Sequence, residues 1–187
     1  LSTVFVVYIA AGETTPEVWN SLFWIVSLFA SVNAIVKSFV QENSARALYY
    51  YILFNPIAVI LSKIIYNFLL LLILVTVAYG AFIFFIGNPI LQFDLFFTAI
   101  LLGSLGLSIS LTFISAIASK ANNSASLMAI LAFPVIIPIL LSVVQLASHA
   151  LQEITMANTT SSISNLIAID LVLLAVAMPL FPYLWRD

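Results

Sequence analysis

The stretch IAVILSKIIYNFLLLLILVTVAYGAFIFFI, residues 57–86, decides the fold. Its only charge is Lys63, and as a helix it is long enough to cross a hydrocarbon core of about 30 Å. At 1.5 Å per residue Lys63 lies roughly 9 Å inside residue 57, so its amine can snorkel back to the headgroups. Downstream, Gly87, Asn88 and Pro89 make a tight turn, and a further apolar span follows over about 91–119, closed by Lys120. Asn122, Asn123 and Ser124 form a polar turn into a span over about 125–146, where Pro134 and Pro138 predict a kink or a break. Residues 148–165 are the longest polar stretch and read as an outer loop, with the last span over about 166–184. Upstream, a span covers about 18–36 and is closed by Lys37; Trp19 and Trp24 near its outer end read as interfacial rings. Residues 1–11 are too short to cross alone, and read as the outer half of a first helix whose beginning is missing. The expectation is an all-α polytopic membrane protein with six transmembrane helices, the first one partial, in one transmembrane domain over residues 1–187.

Charge orients this arrangement. Lys37, Arg46, Lys63, Lys120 and Arg186 fall only at alternate breaks between apolar runs, whereas the intervening breaks hold Glu13, Glu17, Asp94, His149 and Glu153. Basic residues mark the cytoplasmic side, so the chain is expected in a bacterial inner membrane, multi-pass, with both ends cytoplasmic. Composition agrees: 64% hydrophobic and 6% charged residues, with a mean hydropathy of +1.24, lie far from the roughly 25% charged residues of soluble domains. A net charge of −2 without a basic cluster gives no reason to expect a nucleic-acid partner. Without cysteine the chain has no disulfide, thiolate metal site or cysteine nucleophile.

The cytoplasmic connection KSFVQENSARALYYYILFNP, residues 37–56, is the densest polar and aromatic cluster. Glu42 and Arg46 stand four apart in the favourable order for a helical ion pair, and Tyr49, Tyr50 and Tyr51 supply interfacial rings before Pro56. Such a segment suits a surface helix that offers a face to a cytosolic partner; the plainer reading is an ordinary interfacial loop. On the 91–119 span, Ser104, Ser108 and Thr112 recur every four residues beside Gly103 and Gly106. Small residues at this spacing let helices approach closely, and a polar path for a substrate is the alternative. Asp170 sits four residues, roughly 6 Å, into the last predicted span, shallow enough to read as interfacial although an intramembrane acid is by default a functional candidate. Asn33, Asn67 and Gln145 read as interhelical hydrogen bonders.

His149 is the only histidine, with Met156 in the same predicted outer loop; both residue types can ligate haem iron, but nothing else supports a haem site and His149 reads as neutral. Asn158, Thr159 and Thr160 match a glycosylation triplet that is common by chance. No G-x-x-x-x-G-K-[ST] loop holds nucleotide phosphates and no His, Asp and Glu cluster suits a catalytic metal, so the chain reads as non-catalytic, without a cofactor of its own. If it moves a substrate, the energy comes from a partner or a gradient.

With these residues in hand, the chain resembles the haem exporter protein B family, the ABC-2-like permease subunits of the cytochrome c maturation system. The family's cytoplasmic connection carries an acidic pair, a glycine, an apolar run, a proline and a lysine in the next helix; the corresponding residues are Glu42, Asn43, Ala47, Tyr49 to Phe54, Pro56 and Lys63. The block LLGSLGLSISLTFISAIASKANNSASLMAILAFPVIIPILL, residues 101–141, is similar to the family's small-residue helix, basic turn and proline-bearing helix. Asn43 departs from the pattern where an acid is usual, Ala47 where glycine is, and Tyr50 where glutamate is. The resemblance covers about Trp19 to Leu146. It implies a cytosolic ABC ATPase subunit and other cytochrome c maturation membrane subunits as partners, with the bilayer around them and haem reached only indirectly. It also implies two copies per ATPase pair, as a homodimer, or one copy beside a different permease subunit. A general ABC-2 type exporter permease for a lipid, glycan or drug, and a non-transporting membrane scaffold, stay open beside it.

Overall fold

The computed structural model describes residues 2–11, 14–35, 55–119, 124–152 and 156–186. Within them the chain is helical apart from short connections: α1 (Ser2–Ala11), α2 (Pro16–Ile35), α3 (Pro56–Ile86), α4 (Phe93–Ala118), α5 (Ser124–Ala150) and α6 (Met156–Arg186). All but α1 are long and apolar enough to cross a membrane. The protein is an all-α polytopic membrane protein.

Helix ends follow from local chemistry. Asn55 caps α3, its Oδ1 accepting from the amide of Ile57 at 3.0 Å, and Pro56 occupies the first turn, where its missing N–H leaves no bond unmade. At the other end Gly87 takes φ +107°, a region open to glycine, and its N–H donates to the carbonyls of Phe82 and Ile83. The turn that follows is tied across the bundle: the amides of Leu91 and Gln92 both donate to the carbonyl of Ala150, each at 3.0 Å.

α4 is the hub. In its membrane-length window 72% of residues are buried, against 17% for α6, and it packs on α2, α3, α5 and α6. Leucines face hydrocarbon as readily as core, so exposed side chains such as Ile73, Phe84 and Ile130 form a lipid-facing shell.

Three features differ from the sequence reading. Trp19 and Trp24 are not interfacial rings but core residues, 2% and 1% exposed. The cause is periodicity: Trp19, Asn20, Phe23, Trp24, Ser27, Ser31 and Ile35 share the buried face of α2. There Trp19, Phe23, Phe82, Tyr79 and Phe96 form an aromatic cluster, with Phe23 and Phe82 edge to face at 5.5 Å. Secondly, of the kink or break expected in α5 the break is absent, since one helix runs through Pro134 and Pro138, which lie on its exposed side. Thirdly, α6 begins at Met156, so much of the expected outer loop is helical. Its hydroxyls turn back on their own backbone, as Ser164 does to the carbonyl of Ser161 at 2.9 Å, and polarity there does not stop the helix.

Candidate functional site

Two faces of α4 gather many of the polar groups buried in the bundle, Ser104, Ser108, Ser110, Thr112 and Ser115 among them. Toward α3, the Ser108 hydroxyl donates to the carbonyl of Ile64 at 2.7 Å, and Asn67 donates through Nδ2 to Oγ1 of Thr112 at 2.9 Å. Two of the three small polar residues spaced by four thus bond across one interface. The third, Ser104, is buried with no hydrogen-bond partner for its hydroxyl among the described residues.

The glycines serve close approach. A Cβ at Gly103 would stand 3.0 Å from the Trp24 ring and 3.0 Å from Val143, so α2 and α5 press on α4 at this level. At Gly106 a Cβ would collide with Oδ1 of Asp170 and lie 3.2 Å from Ile139. Ser110, one turn on, donates to the carbonyl of Gly106 at 2.8 Å.

Asp170 is therefore not interfacial. The earlier start of α6 puts it 14 residues from Met156, about 21 Å along the axis and near the middle of the helix. Ser162, Leu166, Asp170, Ala177 and Phe181 are the buried residues along α6, a spacing of four and seven that makes one helical face. Asp170 is 4% exposed, and neither carboxyl oxygen has a hydrogen-bond partner among the described residues. Spacing alone could have signalled this inward position.

His149 also differs from the sequence reading. It is not an exposed loop residue but lies in the last turn of α5, 9% exposed, next to buried Ala147, Ala150 and Leu151. Among the described residues no group of His, Asp and Glu comes together that could hold a metal ion. Asn20, read past in the sequence, bonds α2 to α5 through Nδ2 to the carbonyl of Val144 at 2.9 Å. Asn33 donates instead to its own helix, at the carbonyl of Phe29.

Of the cytoplasmic candidates, Pro56 opens α3, whereas Glu42, Arg46, Tyr49, Tyr50 and Tyr51 lie outside the described residues. The first turns of α3 set Ile60 and Ile64 in one apolar cluster with Ile109 and Ala116 of α4 and with Ala177 and Phe181 of α6. A family model described as CcmB protein matches residues 8–181, while no curated protein and no solved structure matches the chain.

Proposed function

The chain belongs to the CcmB protein family, and from that membership we propose that it is a membrane subunit of the haem-exporting ABC transporter of cytochrome c maturation. In this reading it is a non-catalytic permease domain that couples a separate cytosolic ATPase to haem export or to release of a haem chaperone. The observation that carries the reading is the family match over residues 8–181 of a chain with five membrane-length helices.

The ATPase is engaged by the connection over residues 37–56, through Glu42, Arg46 and the three tyrosines. The Lys120 to Ser124 turn is too short to form a surface helix, and the aromatic and Arg side chains of the longer connection are typical interface anchors. Force applied there enters α3 at Pro56. The apolar cluster of Ile60 and Ile64 with α4 and α6, together with the Ser108 and Thr112 bonds, is the physical link by which it spreads into the bundle. Haem is ligated by other subunits, in keeping with one histidine and no cysteine in this sequence. In this reading the protein lies in a bacterial inner membrane with both ends cytoplasmic, an orientation supported by the one-sided Lys and Arg, and two copies pair on an ATPase dimer.

The test is joint replacement of Arg46 and Tyr50 by Ala in the full-length protein. Insertion into membranes is retained, and co-purification of the ATPase subunit falls about tenfold, corresponding to about 1.4 kcal/mol of binding. Unchanged co-purification and ATPase activity would remove the contact from residues 37–56.

A further inference from the structure

Asp170 is a charged residue type in a place where charge has no support. It projects from the middle of α6 onto the bare backbone of Gly106, close enough that a single added methyl would strike its carboxyl. Both oxygens are buried and lack a hydrogen-bond partner among the described residues.

Among the described residues the surroundings offer it no counter-charge in place of such a partner. The helices packed on α6 are α3, α4 and α5. α4 carries only Asp94, in its first turn and about 18 Å along the axis from Gly106. α5 carries only His149, about 15 Å along the axis from Ile139, which shares the Gly106 site. α3 carries Lys63, Tyr66 and Tyr79; Tyr66 is 64% exposed on the outer face, Tyr79 joins the aromatic cluster, and Lys63 has an interaction of its own. On α6 itself the other titratable groups are Tyr183 and Arg186, beyond the buried Ala177 and Phe181. A cavity of about 240 Å³ begins one turn away, at Ser110 and Leu173, but its walls are otherwise apolar, and the Ser110 hydroxyl already donates to the carbonyl of Gly106. Water needs at least two polar partners to stay in such a space.

An ionised carboxylate buried without a partner is strongly disfavoured even after relaxation, and such a group neutralises instead. Asp170 is too enclosed for a cationic side chain from another subunit, and a single carboxyl does not make a metal site. A proton is the one ligand small enough and sufficient. We propose that Asp170 is a proton-binding site within the membrane, holding a proton for as long as α6 is seated on Gly106 of α4.

Infrared spectroscopy of the full-length protein in lipid vesicles tests this, since the carbonyl stretch of a neutral carboxyl is resolved from that of a carboxylate. A carboxyl surrounded by water is ionised at neutral pH. A neutral-carboxyl band is expected to persist there, to shift when the protein is grown with carboxyl-labelled aspartate, and to vanish in Asp170→Asn. If that variant does not accumulate, the labelled spectrum of the protein carrying Asp94→Asn and Asp187→Asn decides, since Asp170 is then the one aspartate left in this sequence. No neutral-carboxyl band at neutral pH, a band moved only by labelled glutamate, or a band retained in Asp170→Asn would overturn the assignment.

Discussion

The two sides of α4 treat buried polarity in opposite ways. Facing α3, the Ser108 and Thr112 hydroxyls are engaged, one to the carbonyl of Ile64 and one with Asn67. Facing α6, Asp170 lies on Gly106 with both oxygens unmatched among the described residues. The first interface gains from being closed and loses hydrogen bonds in hydrocarbon if it opens. The second gains nothing comparable from its polar group, because closure returns no hydrogen bond to the Asp170 carboxyl among the described residues. The α3–α4 interface therefore adds interhelical hydrogen bonds to its packing, and the α4–α6 seam at Asp170 adds none among the described residues.

The largest expected effect is at that seam. Gly106→Ala forces the Asp170 carboxyl aside and should destabilise the protein by about 1–3 kcal/mol in denaturant titrations in detergent. Gly80→Ala in α3 meets nothing within 4 Å and should instead stabilise by about 0.5–1 kcal/mol, from helix propensity alone. Equal responses at the two glycines would dissolve the contrast. Adding Asp170→Ala to Gly106→Ala should recover part of the loss, because the colliding carboxyl is gone.

A smaller effect is expected on the α3 side. A double-mutant cycle of Asn67→Ala and Thr112→Val should return a coupling of about 0.6 kcal/mol, the average for interhelical hydrogen bonds in membranes. A coupling near zero would mean that this interface is held by apolar packing alone. The smallest effect belongs to the lipid-facing shell, where Ile130→Leu should change stability by less than about 0.5 kcal/mol. A larger loss there would mark Ile130, 70% exposed in the single chain, as covered by another protein.

The membrane-length helices were legible because a bilayer sets a minimum apolar length that residues such as 57–86 satisfy by themselves. The start of α6 was not. Thr159, Thr160, Ser161, Ser162 and Ser164 look like a loop by polarity, yet short hydroxyl side chains can be satisfied inside a helix, so polarity and helix end need not coincide. That misreading displaced Asp170 outward by about three turns. Likewise, tryptophan's preference for interfaces competed with the spacing of Trp19, Phe23 and Trp24, and the shared helical face prevailed. Gly103 and Gly106 were recognised from sequence as sites of close approach, but which helices they meet depends on the tertiary arrangement, which spacing along one helix does not encode.

The amides of Leu91 and Gln92 converge on one acceptor, the carbonyl of Ala150, so the turn after α3 and the last turn of α5 are pinned together. The opposite ends of these helices, at Asn55 and Ser124, are joined to the rest of the chain by other segments. A helix fastened at one end turns as a lever about that end. α5, with 27 residues, is about 40 Å long, so a tilt of about 10° at the pin sweeps its far end through roughly 7 Å. A small rotation at the pin thus carries the Ser124 end of α5 much farther than its Ala150 end.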